Sequence, residues 1–146
     1  MGRTNKRKLK LKEYGISSKR YMELRGFCGQ YPEWKQQIEN YSYLSGVSYD
    51  GVSSANKEIS DPTEKMAERI LKLQQNVDLI DDLAKLVDPD YWQTIIDVIC
   101  YDAPLIKKIS DGDLPMSKSA FYERRMFFFY LLDAEKKKRE NAENFE

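Results

Sequence analysis

A predicted helix that begins at Ser117 carries the side chains best suited to binding a polyanion. The Ser117 hydroxyl can accept a hydrogen bond from a free amide of the first turn, which makes this residue a favourable N-cap. Phe121, Phe128 and Leu132 follow at spacings of seven and four and define one apolar face. The polar and cationic side chains of the first two turns lie largely off that face: Lys118, Ser119, Tyr122 and Arg125. This arrangement suits insertion into a DNA major groove, and the alternative is a solvated face on an aromatic core helix.

The charges of the chain are unevenly distributed although the formal net charge is zero. Cations predominate in the first thirty residues, Arg7, Lys8 and Lys10 among them, whereas acidic residues predominate in the middle of the chain. Such asymmetry can steer a polyanion to one end of a protein. Residues 1–13 have no helical apolar stripe, so we expect a flexible arm or an edge segment there. This arm is either a solubilising tail or a segment that contacts phosphates.

Several classes of protein are disfavoured by composition. No run of about 18 apolar residues occurs, so we expect no membrane-spanning segment. The basic N-terminus is not followed by an apolar region, which argues against a secretory signal. Cys28 and Cys100 lie in apolar periodic segments without metal-ligand spacing, so we interpret them as reduced core thiols of a cytoplasmic protein.

Catalytic chemistry is also disfavoured, chiefly because the chain contains no histidine. Histidine-based triads, the usual general base near neutral pH and most zinc sites are therefore excluded. The aspartates of Asp88-Pro89-Asp90 and Asp111-Gly112-Asp113 stand where helix caps and turns favour them. No glycine-rich phosphate-binding loop is present. We expect a protein that is not an enzyme and needs no cofactor or metal.

The remaining periodicity predicts helices in series and no strand, hence an all-α small helical bundle. Segments 17–30 and 31–40 read as two N-terminal helices, the second of them short and begun by Tyr31-Pro32. Asp61-Pro62-Thr63-Glu64 begins a helix that reaches about Val87. Its apolar residues alternate at steps of four and three, and Leu79, Leu83 and Leu86 widen this stripe. The pattern fits either an ordinary packed helix or a homodimer seam.

Two further helices precede Ser117 in this interpretation. Asp88-Pro89 starts one of them, with Trp92 to Cys100 supplying its apolar side. A short helix over 103–109 should direct Leu105, Ile106 and Ile109 inward, before a turn at 111–113. We divide the chain into a basic arm with N-terminal helices (1–40), a linker rich in serine and glycine (41–60), a helical domain (61–140) and a tail (141–146).

This order of elements matches a helix-turn-helix of the kind found in region 4 of sigma factors, with 103–110 as its first helix. Two segments resemble the phage-encoded late transcriptional regulators of Gram-positive bacteria, the ArpU and RinA type. Ser60 to Ala67 resembles the start of their long helix, and Ser117 to Arg125 resembles their run of serine, basic residue, serine, tyrosine and arginine. The resemblance covers roughly the C-terminal two-thirds of the chain.

The resemblance implies sequence-specific binding of double-stranded DNA near phage promoters, in the cytoplasm of a bacterial host, with activation of late genes. Lys118, Ser119 and Tyr122 would then face base edges, and Arg124 and Arg125 would face phosphates. Two alternatives stay open. A small terminase-like packaging subunit also combines a helix-turn-helix with an oligomerising helical region. An adaptor that contacts RNA polymerase or another protein would use the acidic residues Asp78, Asp81 and Asp82.

Overall fold

The computed structural model describes residues 13–52 and 61–144, with side chains from 13–43 and 63–144. Within these stretches the chain forms α-helices joined by turns and contains no β-strand, so the predicted all-α fold is confirmed. The helices in chain order are α1 (Ser18–Gly29), α2 (Tyr31–Val52), α3 (Asp61–Val87), α4 (Trp92–Cys100), α5 (Leu105–Ser110) and α6 (Lys118–Asn144).

The chain divides into two compact units. The first unit comprises Met1–Gly29 and Ile80–Glu146, and the second unit comprises Gln30–Leu79. Helix α1 packs against α4 and α6, which explains why the first segment of the chain belongs with the last. The boundary between Leu79 and Ile80 falls within α3, so this helix contributes residues to both units.

Helix α2 is longer than the short helix that the sequence predicted. The predicted linker began at residue 41, yet the helix continues to Val52 through serines and glycines. Glycine costs a helix only about 1 kcal/mol relative to alanine and serine less, and no proline occurs between residues 33 and 52. Loss of apolar periodicity therefore did not mean loss of helix. Residues 53–60 of the predicted linker lie outside the described residues.

The core of the first unit joins α4, the segment before α6, and the first turns of α6. Ile95, Leu114 and Phe121 are fully buried and in mutual contact. Partly buried apolar side chains surround them: Val98, Ile99, Leu105, Ile109, Met116 and Tyr122. Further along α6, the predicted apolar face is confirmed, since Phe128, Phe129 and Leu132 are all buried. Burial of this kind is the main favourable term in folding.

Two apolar residues that the sequence interpretation assigned to apolar helix faces, Ile106 and Leu86, are exposed in the structure. Ile106 is 64% exposed, because a helix as short as α5 buries one face and Leu105 and Ile109, four residues apart, already occupy it. Leu86 is 69% exposed. The step of three from the buried Leu83 rotates its side chain about 60° farther from the centre of the apolar stripe.

Cys28 of α1 and Cys100 of α4 are buried next to each other as free thiols. A hydrogen bond between the two thiols, together with burial, raises the pKa of Cys100 above its ordinary range. A neutral, buried thiol behaves as a small apolar side chain. The two cysteines are thus core residues at the α1–α4 contact, as predicted.

An ion cluster ties α1 to α6. Arg20 Nε donates a hydrogen bond to Asp133 Oδ1 at 2.7 Å, and Lys137 Nζ lies 3.1 Å from Asp133 Oδ2. Asp133 is only 5% exposed. Burial alone would raise the pKa of Asp133, but the hydrogen bonds from Arg20 and Lys137 outweigh it and hold this pKa below its ordinary value.

Core packing is tested by a matched pair of isoleucine substitutions in the first unit. Ile95→Ala should lower the free energy of unfolding by about 2–5 kcal/mol, because Ile95 is fully buried and its loss leaves a cavity. Ile106→Ala removes the same atoms from an exposed position and should change it by less than about 0.5 kcal/mol. Urea unfolding followed by circular dichroism measures both. Equal losses would contradict the core described above.

The ion cluster predicts a pH dependence of stability. The pKa of Asp133 in the folded chain lies below its ordinary value of 3.8, so the carboxylate stabilises the fold fully above that pH. This contribution is lost as the pH falls further, through the folded-state pKa. Asp133→Asn should therefore give a flatter decline of unfolding free energy below about pH 4 than the parent chain. Parallel declines in acid titrations of the two proteins would show that Asp133 does not contribute.

Candidate nucleic-acid interface

The N-terminus of α6 is capped as the sequence predicted. Ser117 Oγ accepts a hydrogen bond from the Ala120 amide at 3.1 Å, and the Ser117 carbonyl accepts one from the Phe121 amide at 3.0 Å. Phe121 is completely buried, whereas Lys118 and Ser119 are exposed. The first turn of α6 therefore presents a cation and a hydroxyl to solvent above an aromatic anchor.

The joint between α5 and α6 is longer than that of a tight helix-turn-helix but has defined hydrogen bonds. The Asp111 amide donates to the Lys107 carbonyl at 2.8 Å, and the Leu114 amide donates to the Lys108 carbonyl at 3.1 Å. Gly112 follows the end of α5 with a φ of +81°, in the left-handed region that favours glycine. Because Leu114 is fully buried, the joint is anchored to the core at its centre.

Tyr122, predicted to face base edges, is half-buried. Its ring packs against the Ile95–Leu114–Phe121 cluster and meets Phe121 edge-on, with 5.9 Å between ring centroids. The ring therefore contributes to the support of α6, and only part of it faces solvent.

Arg124, predicted to face phosphates, forms an ion pair with a buried acid. Its Nε donates to Asp88 Oδ2 at 2.9 Å and its Nη1 donates to the Ala120 carbonyl at 3.1 Å. Asp88 Oδ1 also accepts hydrogen bonds from the amides of Asp90 and Tyr91, each at 3.0 Å. Burial would raise the pKa of Asp88, but these amides and Arg124 outweigh it and lower that pKa. Arg124 therefore links α6 to the turn between α3 and α4.

Arg125 is half-buried between aromatic rings. The centre of its guanidinium lies 6.0 Å from the Tyr21 ring and 5.9 Å from the Phe129 ring, within the range of cation–π attraction. Its Nε is buried and has no hydrogen-bond partner among the described residues. This side chain packs between α1 and α6, and most of it does not face solvent.

Charges around the joint are mixed. Lys107 is exposed on α5, whereas Lys108 Nζ lies 3.7 Å from Asp97 and 4.0 Å from Asp113. Asp111 is also exposed. Lys107 is a surface cation that the sequence interpretation did not single out. Arg7, Lys8 and Lys10 of the predicted arm lie outside the described residues.

Other kinds of site receive no support in the part of the chain that the structure describes. Among its helices, none has both the length and the apolar character needed to cross a bilayer. It also contains no group of side chains that could hold a metal ion. Comparison of the chain with protein-family models, characterised proteins and solved structures finds no match.

Arg124 is expected to act on stability. Arg124→Ala leaves the buried Asp88 carboxylate without its ion pair, so the free energy of unfolding should fall by about 1–3 kcal/mol. The double variant Asp88→Asn/Arg124→Ala should be less destabilised than the sum of its single variants, because the two side chains interact directly. Urea unfolding of the four proteins measures this coupling. Additive losses would show that the pair contributes nothing.

Proposed function

We propose that this chain is a sequence-specific regulator of transcription that binds double-stranded DNA, with α6 as its recognition helix. The observation that carries the proposal is the capped first turn of α6. There, Lys118 and Ser119 face solvent while Phe121 fixes the helix in the core. In helix-turn-helix proteins the N-terminal residues of the recognition helix contact base edges in the major groove.

The chemistry of this turn suits DNA. Lysine donates to the acceptor atoms of guanine, and a serine hydroxyl can donate to or accept from base edges. The free amides of a helix N-terminus also carry a partial positive charge, which favours a nearby phosphate. Lys118 and Ser119 are therefore the proposed base-reading residues.

The other predicted contact residues take different parts in this proposal. Tyr122, Arg124 and Arg125 hold α6 in place through the core cluster, Asp88 and the Tyr21 ring. Phosphate binding is assigned to the N-terminal arm, with Arg7, Lys8 and Lys10, because a chain with zero net charge needs a local source of cations.

The regulatory role rests on the resemblance of residues 60–67 and 117–125 to the ArpU and RinA type of late phage regulator. A late regulator near a promoter also has RNA polymerase as a natural partner. Homodimerisation through α3 fits the exposure of Met66, a position of the apolar stripe in its first half. In its second half the stripe residues Ile80 and Ala84 are buried within the chain. A dimer would place two recognition helices on a palindromic site.

A charge-reversal pair tests the proposed interface. Selection of DNA from a random duplex pool, at low and at moderate salt, identifies the preferred sequence. Lys118→Glu should weaken binding to that sequence by at least about tenfold, the effect of losing one good base contact. Lys35→Glu changes the net charge equally at an exposed position of α2 and should leave affinity almost unchanged. Gel shift or fluorescence anisotropy measures both variants.

The outcomes separate the proposal from its alternatives. Equal weakening by both variants would mean that binding depends on net charge alone, and absence of any duplex binding at low salt would end the proposal. A native mass corresponding to a ring of many subunits would favour the packaging alternative. Retention of RNA polymerase by a chain without DNA affinity would favour the adaptor.

A further inference from the structure

Cys28 and Cys100 are the only cysteines of the chain, and the fold places them side by side as free thiols. The whole of α2 and α3 separates them in the sequence, yet both belong to the first compact unit. Their side chains lie at the contact between α1 and α4, where Cys28 is 0% and Cys100 is 4% exposed. The two thiols are close enough for a hydrogen bond to join them. We call Cys28 and Cys100 the thiol pair.

Packing alone does not require two thiols at this contact. A buried thiol fills the space of a small apolar side chain, and alanine or valine would do so without a reactive atom. Sulfur atoms within hydrogen-bond reach have only to approach to about 2.05 Å to form a disulfide. Because both side chains point to the same contact, the thiol pair meets the first geometric condition for that bond. Burial also keeps each sulfur away from the sulfurs of a second chain.

Both cysteines lie at helix ends. Cys28 is followed by Gly29, the last residue of α1, and Cys100 is itself the last residue of α4. The backbone leaves α4 through Asp102, whose φ of +56° lies in the left-handed region that favours glycine. Helix ends fray, and they open locally at a lower free-energy cost than the core of a fold. A small oxidant can therefore reach the thiol pair without global unfolding of the chain.

We propose that Cys28 and Cys100 form a reversible redox site, at which hydrogen peroxide joins the two thiols as an intramolecular disulfide. One thiol attacks a peroxide oxygen as its thiolate, and the O–O bond breaks to leave a sulfenic acid and hydroxide. The hydroxide takes up the proton of that thiol and becomes water. The second thiol then attacks the sulfenic sulfur, so an S–S bond forms, the S–O bond breaks and a second water leaves with the remaining thiol proton. Together the two sulfurs lose two electrons, which reduce one peroxide to two waters.

The surroundings of the thiol pair make this reaction slow. Peroxide is attacked by the thiolate, whereas the hydrogen bond with Cys28 and burial raise the pKa of Cys100 and keep its thiol neutral. The negative charges of Asp81 and Asp102 act in the same direction. The disulfide should therefore form under sustained oxidation, and faster in alkaline than in neutral solution. In reducing compartments such disulfides are usually transient. The site is independent of the proposed duplex binding by Lys118 and Ser119.

Oxidation of the full chain tests the proposal. The folded protein, freed of reductant, is treated with hydrogen peroxide, then denatured in iodoacetamide and examined by intact mass spectrometry. The oxidised chain should lack two hydrogen atoms and take up no alkyl group, because both thiols are in the disulfide. Dithiothreitol should restore both alkylation sites by thiol–disulfide exchange. Protease digestion without reduction should give one cross-linked species that joins the peptides of Cys28 and Cys100.

Single alanine variants distinguish a redox site from two packing residues. Cys28→Ala and Cys100→Ala each leave one thiol without a partner that could displace water from its sulfenic acid. Dimedone, which traps sulfenic acids, should therefore label both variants and should label the parent chain far less. Peroxide also oxidises exposed methionines such as Met22 and Met66, and the double variant Cys28→Ala/Cys100→Ala shows their contribution. Circular dichroism verifies that each variant is folded.

Thermal unfolding gives a second measurement. A bond that closes the long loop between the two cysteines should raise the melting temperature of the parent chain by about 5–15 °C. Peroxide should not raise that of the double alanine variant. Two free thiols in the parent chain after sustained oxidation, a disulfide found only between chains, or equal dimedone labelling of the parent and the folded single variants would each overturn the proposal. The parent-chain masses decide the matter even where a variant fails to fold.

Discussion

Because Phe121 is completely buried against Ile95 and Leu114, the first turn of α6 has only one orientation available to it. The Ser117 cap fixes where the helix begins, and Phe121 fixes which side faces the core. Lys118 and Ser119 then face solvent as a consequence of helical geometry. The proposed recognition surface therefore depends on the apolar contact of Phe121 with the core.

Two buried acids extend this anchoring along the same helix. Asp88 forms an ion pair with Arg124 near the start of α6, and Asp133 forms ion pairs with Arg20 and Lys137 farther along it. A buried carboxylate is costly unless it is both paired and hydrogen-bonded. Here each acid has an arginine partner at 2.9 Å or less. The apolar cluster supplies most of the burial, and these pairs specify how α6 is aligned with α1 and with the end of α3.

Local signals were enough to predict the helices and much of the core. Caps and first-turn prolines correctly marked Ser117, Asp61 and Tyr31, and apolar spacing identified the buried face of α6. The prediction of α2 was wrong beyond residue 40, because serine and glycine weaken a helix without ending it.

The contacts of long charged side chains were the hardest feature to predict from the sequence. Arg124 is paired with an acid 36 positions away, and Arg20 with one 113 positions away. Neither partner can be identified from local spacing, so Arg124 resembled a free cation in the sequence. The exposure of Lys118 and Ser119, by contrast, depends only on the neighbouring Phe121 and was predictable.

The two tryptophans are distributed so that each compact unit contains one. Trp34 is buried in the unit formed by Gln30–Leu79, and Trp92 begins α4 in the other unit, with Lys85 Nζ 4.7 Å from its ring centroid. Intrinsic emission from variants that retain a single indole would therefore report on one unit at a time. Since α3 is one continuous helix shared by both units, coincidence or separation of the two emission midpoints would reveal whether that helix makes their unfolding cooperative.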